Sequence, residues 1–216
     1  MDKMEKREPR LIIVSAPSGC GKGTIMKEVF KNDDVFYSVS CTTRNPRPED
    51  KEGVTYHFLT VEQFEKMIAE DNFLEYAKYN QTYYGTPRKP VEENLAAGKD
   101  VILEIETQGA FQVKELRPDA YSLFILPPSV NELDRRLHKR ATEKEETIRK
   151  RVSQAAGEIA KADKYDYVIM NDDLDAAIED FKAVIDGIRG VKDPAVRFSP
   201  ENEEIKNMIR EVLENA

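Results

Sequence analysis

The run SAPSGCGKGT, Ser15 to Thr24, sets two spaced glycines, a lysine and a hydroxyl directly after the apolar stretch LIIVS, Leu11 to Ser15. Gly19 and Gly21 let the backbone turn successive N–H groups inward on phosphate oxygens. A helix beginning here would add the positive end of its dipole. Lys22 supplies a charge that can bridge the outer phosphates of a nucleotide, and Ser18 and Thr24 carry hydroxyls within reach of phosphate. The expected cradle is Ala16, Pro17, Ser18, Gly19, Cys20, Gly21, Lys22, Gly23 and Thr24. Thr24 is the hydroxyl nearest a Mg²⁺ ion held mostly by water and nucleotide phosphates. The run departs from G-x-x-x-x-G-K-[ST] twice: Ala16 stands at the first glycine position, and Gly23 follows the lysine, so the hydroxyl arrives one residue late.

A second set of residues suits a second anion. SVSCTTRNPR, Ser38 to Arg47, offers Arg44 and Arg47 three apart among hydroxyls, and a guanidinium is a planar, bidentate donor to phosphate. Tyr56 and Tyr84 could add phenolic hydroxyls to the same anion. ILEIETQGA, Ile102 to Ala110, is an apolar strand ending in acids, with Glu104 and Glu106 on one side of an ideal strand. From Arg135 to Arg151, eight basic side chains face three acidic ones in a chain whose net charge is −8. Taken singly, each of these residues reads as an ordinary surface arginine, strand tyrosine or paired acid. The ordered set does not.

These side chains need elements to hold them. LIIVS, VILEI (Val101 to Ile105), YSLFIL (Tyr121 to Leu126) and YVIM (Tyr167 to Met170) are short continuous apolar runs alternating with helical stretches near residues 23–30 and 110–116, which predicts an α/β fold with a parallel sheet covered by helices on both faces. Between residues 37 and 97 the texture changes. FYSVS, TYHFL and NFLEYAKY are short, aromatic-rich and alternating, as in a small mixed sheet inserted into the core, with VEQFEKMI (Val61 to Ile68) as its helix. Ser199-Pro200 reads as a helix start, followed by an apolar stripe of Ile205, Met208, Ile209, Val212 and Leu213 that either docks on the core or joins a second copy in a homodimer. The acidic balance argues against a nucleic-acid or anionic-membrane binder. No apolar run approaches the ~18 residues of a span, and the charged opening stretch gives no export signal. Cys20 and Cys41 have no CxxC spacing and only His57 and His138 accompany them, so neither a zinc site nor a disulfide framework is expected, as suits a reducing cytoplasm.

At these residues the chain resembles guanylate kinase, a family of P-loop nucleoside monophosphate kinases. The resemblance rests on the GKGT loop and, in order and at matching spacing, S-x-T-T-R-x-x-R at Ser40 to Arg47, G-x-x-Y-x-F at Gly53 to Phe58, F-L-E at Phe73 to Glu75 and Y-Y-G-T at Tyr83 to Thr86. It runs from about Arg10 to Gly187. It implies one domain: a P-loop core at about 10–36, 98–134 and 160–190, a GMP-binding lobe at about 37–97, and a helical lid at about 135–159. An added helical extension at about 198–216 lies outside it. Ser40, Glu75, Thr86 and an acid at Glu104 or Glu106 would hold guanine, and Arg44, Arg47, Tyr56 and Tyr84 the acceptor phosphate. Lys22, Arg44, Arg136, Arg140 and Arg151 would stabilise the transferring phosphoryl. Asn171 would lie near the adenine of ATP, or simply turn the chain and cap the next helix. The implied reaction moves the γ-phosphoryl of ATP, with Mg²⁺, to GMP or deoxy-GMP. Guanine suits the residues on chemical grounds as well, since its N1–H and N2–H₂ are adjacent donors to one carboxylate, whereas adenine turns an acceptor to it. Two alternatives are a partner-binding module that keeps the fold without catalysis, and a kinase for AMP, CMP/UMP or dTMP.

Overall fold

The computed structural model describes residues 8–31, 34–79, 81–139, 145–191 and 195–214. All five side chains of strand β1 (Leu11–Ser15) are buried, as an apolar strand covered on both faces must be. The chain divides into two units that share this strand: residues 8–13 and 34–120 belong to one, and 14–31 and 121–214 to the other.

In the first unit, β2 (Val35–Ser38) runs parallel to β7 (Asp100–Glu104), with Val35 opposite Asp100 and Ser38 opposite Leu103, and β1 lies on the other side of β7. The buried Asp100 carboxylate accepts the Arg10 backbone N–H at 2.9 Å, fixing the register at the start of β1. A second, four-stranded sheet has the order β4 (His57–Phe58), β3 (Cys41–Thr42), β6 (Thr82–Pro87), β5 (Phe73–Tyr79), with β3 parallel to β4 and the other pairs antiparallel. Helix α2 (Val61–Ala69) starts at a capping box in which Thr60 and Gln63 exchange side-chain and backbone hydrogen bonds. Its Phe64 is fully buried, stacked on Phe73 and Tyr83 at 4.3 and 5.0 Å between ring centres. Helices α3 (Arg88–Ala96) and α4 (Thr107–Leu116) complete the unit.

In the second unit β8 (Tyr121–Leu126) lies beside β1 and runs parallel to β9 (Tyr167–Met170). That pairing is pinned where Asp166 accepts both the N–H and the hydroxyl of Ser122, at 2.7 and 2.8 Å. Helices α1 (Lys22–Val29) and α7 (Leu174–Ile188) pack together, with Phe30 edge-on to Phe181. Helices α5 (Val130–Lys139) and α6 (Glu145–Ile159) also form a pair. The last helix, α8 (Glu203–Glu214), lies against α6.

A parallel sheet with helices and a separate mixed sheet are as expected, with local differences. FYSVS, grouped by texture with the small sheet, supplies β2, which pairs with β7 instead as the edge strand of the parallel sheet, where partial exposure leaves room for polar residues. Helix α4 begins at Thr107 rather than near Ala110, so β7 stops at Glu104 and Glu106 is a helix N-cap, not a second strand acid beside it. Ser199 caps a turn through Glu201 N–H, while the N-cap of α8 is Asn202, whose side-chain oxygen accepts Glu204 N–H at 2.9 Å. The stripe of α8 docks within the chain: Ile205, Ile209 and Val212 are buried. No helix among the described residues is long and apolar enough to cross a membrane.

Candidate active site

The phosphate loop is shaped by two residues in left-handed conformation, Gly19 at φ 93° and Gly21 at φ 88°. Gly21 is the N-cap of α1 and offers no side-chain cap, which leaves the first turn arranged for an anion. A side chain at Gly21 would also collide with Asn171, whose Nδ2 lies 2.6 Å from the position of a Cβ. That amide donates to the Cys20 carbonyl at 2.5 Å. Asn171 is buried and its backbone N–H donates to Leu126, so it ties the loop to the end of β8. Cys20 is buried under the loop, its thiol pushed up to about 12 by burial, and donates to the Ile125 carbonyl at 3.4 Å. It packs and does no acid–base work.

Two of the expected arginines converge on this loop. Arg151, on α6, donates to Ser18 Oγ at 3.0 Å. Arg136, on α5, donates from Nε to Glu132 at 2.8 Å and from Nη2 to the Asn171 carbonyl at 3.3 Å, so its guanidinium is held by two partners. Arg140 lies outside the described residues. Thr24 is exposed in the first turn of α1, and no cluster of three or more His, Cys, Asp or Glu able to hold a metal occurs among the described residues. The Thr24 hydroxyl beside a phosphate cradle fits a hard cation carried mostly on nucleotide phosphates and water.

In the first unit, β5 and β6 place Glu75 opposite Thr86. Both are buried, and Thr86 Oγ1 donates to Glu75 Oε1 at 2.6 Å. Burial pushes the Glu75 carboxyl up to about 7. Thr86 pulls the other way, and the charge of Glu106 adds to the rise. Arg44 pairs with Asp50 at 2.8 Å and lies over the rings of Tyr56 and Phe58, at 5.4 and 5.7 Å. Tyr56 meets Tyr84 edge-on at 5.9 Å, and burial raises its phenol to about 12, keeping it a hydrogen-bond donor. Arg47 is exposed, and its backbone N–H is bound by Asp50 at 2.6 Å. Ser40 sits just before β3, its carbonyl accepting His57 N–H at 2.9 Å.

This arrangement has relatives. The family model described as guanylate kinase matches residues 8–187. The chain belongs to the guanylate kinase family. It is 55% identical over 176 residues to the guanylate kinase of Carboxydothermus hydrogenoformans, covering 81% of this chain and 86% of that one. It is 48% identical over 182 residues to a guanylate kinase of Thermus thermophilus, covering 84% and 82%. The crystal structure of guanylate kinase from Anaplasma phagocytophilum superposes with a TM-score of 0.68 at 28% identity, over 95% of each chain.

As a member of the guanylate kinase family the chain carries contacts among its charged residues that sequence spacing alone did not fix. Glu132 accepts from both Arg135 and Arg136, which hold it down to about 2, and so aims Arg136. The i,i+4 spacing on one helix was the available signal. Asp50 binds Arg44 and the Arg47 backbone together, the backbone bond contributing most to its lowered pKa. Tyr37 donates to Glu104, whereas Glu106, exposed at the head of α4, is the acid whose charge reaches Glu75.

Proposed function

We infer that this chain transfers the γ-phosphoryl of ATP to GMP, and to deoxy-GMP, yielding ADP and GDP. The observation that carries the acceptor is the buried Glu75–Thr86 pair. An ionised carboxylate can take both the N1–H and N2–H₂ of guanine, while the Thr86 and Ser40 hydroxyls serve the rest of the base edge. Adenine would present an acceptor to that carboxylate and leave buried polar groups unpaired, which is how such a site rejects the wrong base. Arg44, steadied by Asp50, together with Arg47, Tyr56 and Tyr84 would bind the acceptor phosphate.

The loop from Ala16 to Thr24 holds the donor phosphates with backbone N–H groups and Lys22. Arg136, Arg140 and Arg151 place positive charge on oxygens that become more negative during transfer, and by closing they exclude water that would otherwise hydrolyse ATP. Mg²⁺, bound through the phosphates near Thr24, would neutralise charge between the outer phosphates. The acceptor phosphate is already an anion at neutral pH, so no general base is required.

The test is ADP release with ATP and Mg²⁺ in the presence of GMP, deoxy-GMP, AMP, CMP, UMP and dTMP in parallel. Turnover confined to GMP and deoxy-GMP is the expected result. Turnover with a different base overturns the guanine site. Silence with every acceptor favours a binding module.

A further inference from the structure

Helix α4 meets strand β5 through two residues one turn apart. Gln112 donates from Nε2 to the Tyr76 carbonyl at 3.1 Å and accepts Tyr76 N–H at 3.4 Å, so an amide side chain completes the backbone pairing of an edge strand. One turn earlier stands Gly109, buried in the helix. A Cβ there would fall 2.8 Å from Glu75 Cδ and nearer still to Oε2, far inside contact distance. The backbone does not ask for glycine here, since Gly109 is not among the positive-φ residues. A helix interior disfavours glycine against alanine. What the position needs is the missing side chain.

We propose that Gly109 is a positioning residue for acceptor selectivity: its bare backbone forms the recess in α4 that seats the Glu75 carboxyl and fixes its orientation toward a guanine edge. The inference rests on the reading of Glu75 as the guanine-binding carboxylate. Thr86 anchors Oε1 at 2.6 Å while Oε2 lies over Gly109, so the carboxyl is held from two sides. Gln112 keeps β5 at the height this seating requires. The first turn of α4 has no side-chain cap, and its orphan N–H groups make it a favourable neighbour for a negative group. Glu106, at the N-cap, is the charged group that opposes ionisation of Glu75.

Steady-state kinetics with ATP and GMP on three variants test this. Gly109→Ala should raise KM for GMP by roughly 10- to 100-fold, the scale expected when a binding group is displaced by about 1 Å, and leave KM for ATP within about twofold. In that background Glu75→Asp, a carboxyl one methylene shorter, should clear the added methyl, so the double variant should bind GMP better than Gly109→Ala alone. A merely structural glycine would give no such rescue. An unchanged KM for GMP in Gly109→Ala, equal losses for both substrates, or a double variant no better than the single one overturns the proposal. So does a Gly109→Ala chain that fails to fold and is not restored by Glu75→Asp. Glu75→Gln separates the two readings: if it leaves GMP binding intact, the guanine role of Glu75 fails first. If it weakens GMP binding while Gly109→Ala does not, only the positioning role fails.

Discussion

Glu75 keeps a proton longer than an ordinary glutamate because its carboxyl, 6% exposed, has lost its water. The rise from 4.5 to about 7 is led by burial, and Glu106 adds to it. In the unfolded chain the same group titrates near its ordinary value, so between these two pH values the folded state holds a proton that the unfolded state has released. The resulting stability is fully present below pH 4.5 and is lost as pH rises through 7, with a total on the order of 3 kcal/mol. Glu75→Gln removes the titration and retains an oxygen for Thr86. Urea unfolding at pH 5 and pH 8 should therefore show the parent losing more stability over that interval than the variant, by on the order of 2–3 kcal/mol. Equal pH dependence in both would mean that the carboxyl is solvated as usual. A site that stores such a cost gives it back to a ligand bringing two N–H donors.

At the scale of elements, α5 shows how a surface helix can aim an arginine, here one proposed to act on the transferring phosphoryl. Ser129 Oγ accepts Glu132 N–H at 3.0 Å at its start, and Glu132 then holds Arg135 and Arg136 from one turn away. The Asn171 carbonyl is the second partner of Arg136. With Glu132→Ala the guanidinium keeps only that longer contact, so kcat should fall by about tenfold. The melting temperature should move little, because ion pairs at a half-buried surface site contribute modestly to stability. Unchanged kcat in the steady-state assay would remove either the orienting role of Glu132 or the catalytic role of Arg136. Residues close in sequence, such as those of the phosphate loop, were legible because glycine spacing is a local signal. Asn171 under the loop was not. Its contact with Cys20 spans 151 residues, and an Asn-Asp-Asp run looks like any turn.

For the molecule as a whole, apolar runs revealed the parallel strands, and an ordered motif set revealed the family. Strand partners and close approaches were harder to read. FYSVS looked like part of the small sheet because it is short, aromatic and alternating, yet it is the edge strand of the parallel sheet and pairs with a strand some 65 residues on. Gly109 gave no sign of Glu75 because a glycine in a helix has many causes. The stripe of α8 demanded a partner without naming one, and it lies against the turn Ala162–Lys164 and against α6. That helix carries Arg151, which reaches Ser18 in the phosphate loop, while α8 itself lies beyond the residues that match the family model. Ile205 is 4% exposed, and Ile205→Ala should cost about 2–4 kcal/mol through the cavity it leaves. Removal of residues 203–216 should lower the melting temperature and, by loosening α6, raise KM for ATP more than KM for GMP. Calorimetry and kinetics on the truncated chain check both parts. An unaltered melting temperature would make α8 an appendage, whereas a lower one with both KM values intact would confine its role to stability and leave Arg151 positioned by α5 and α6 alone.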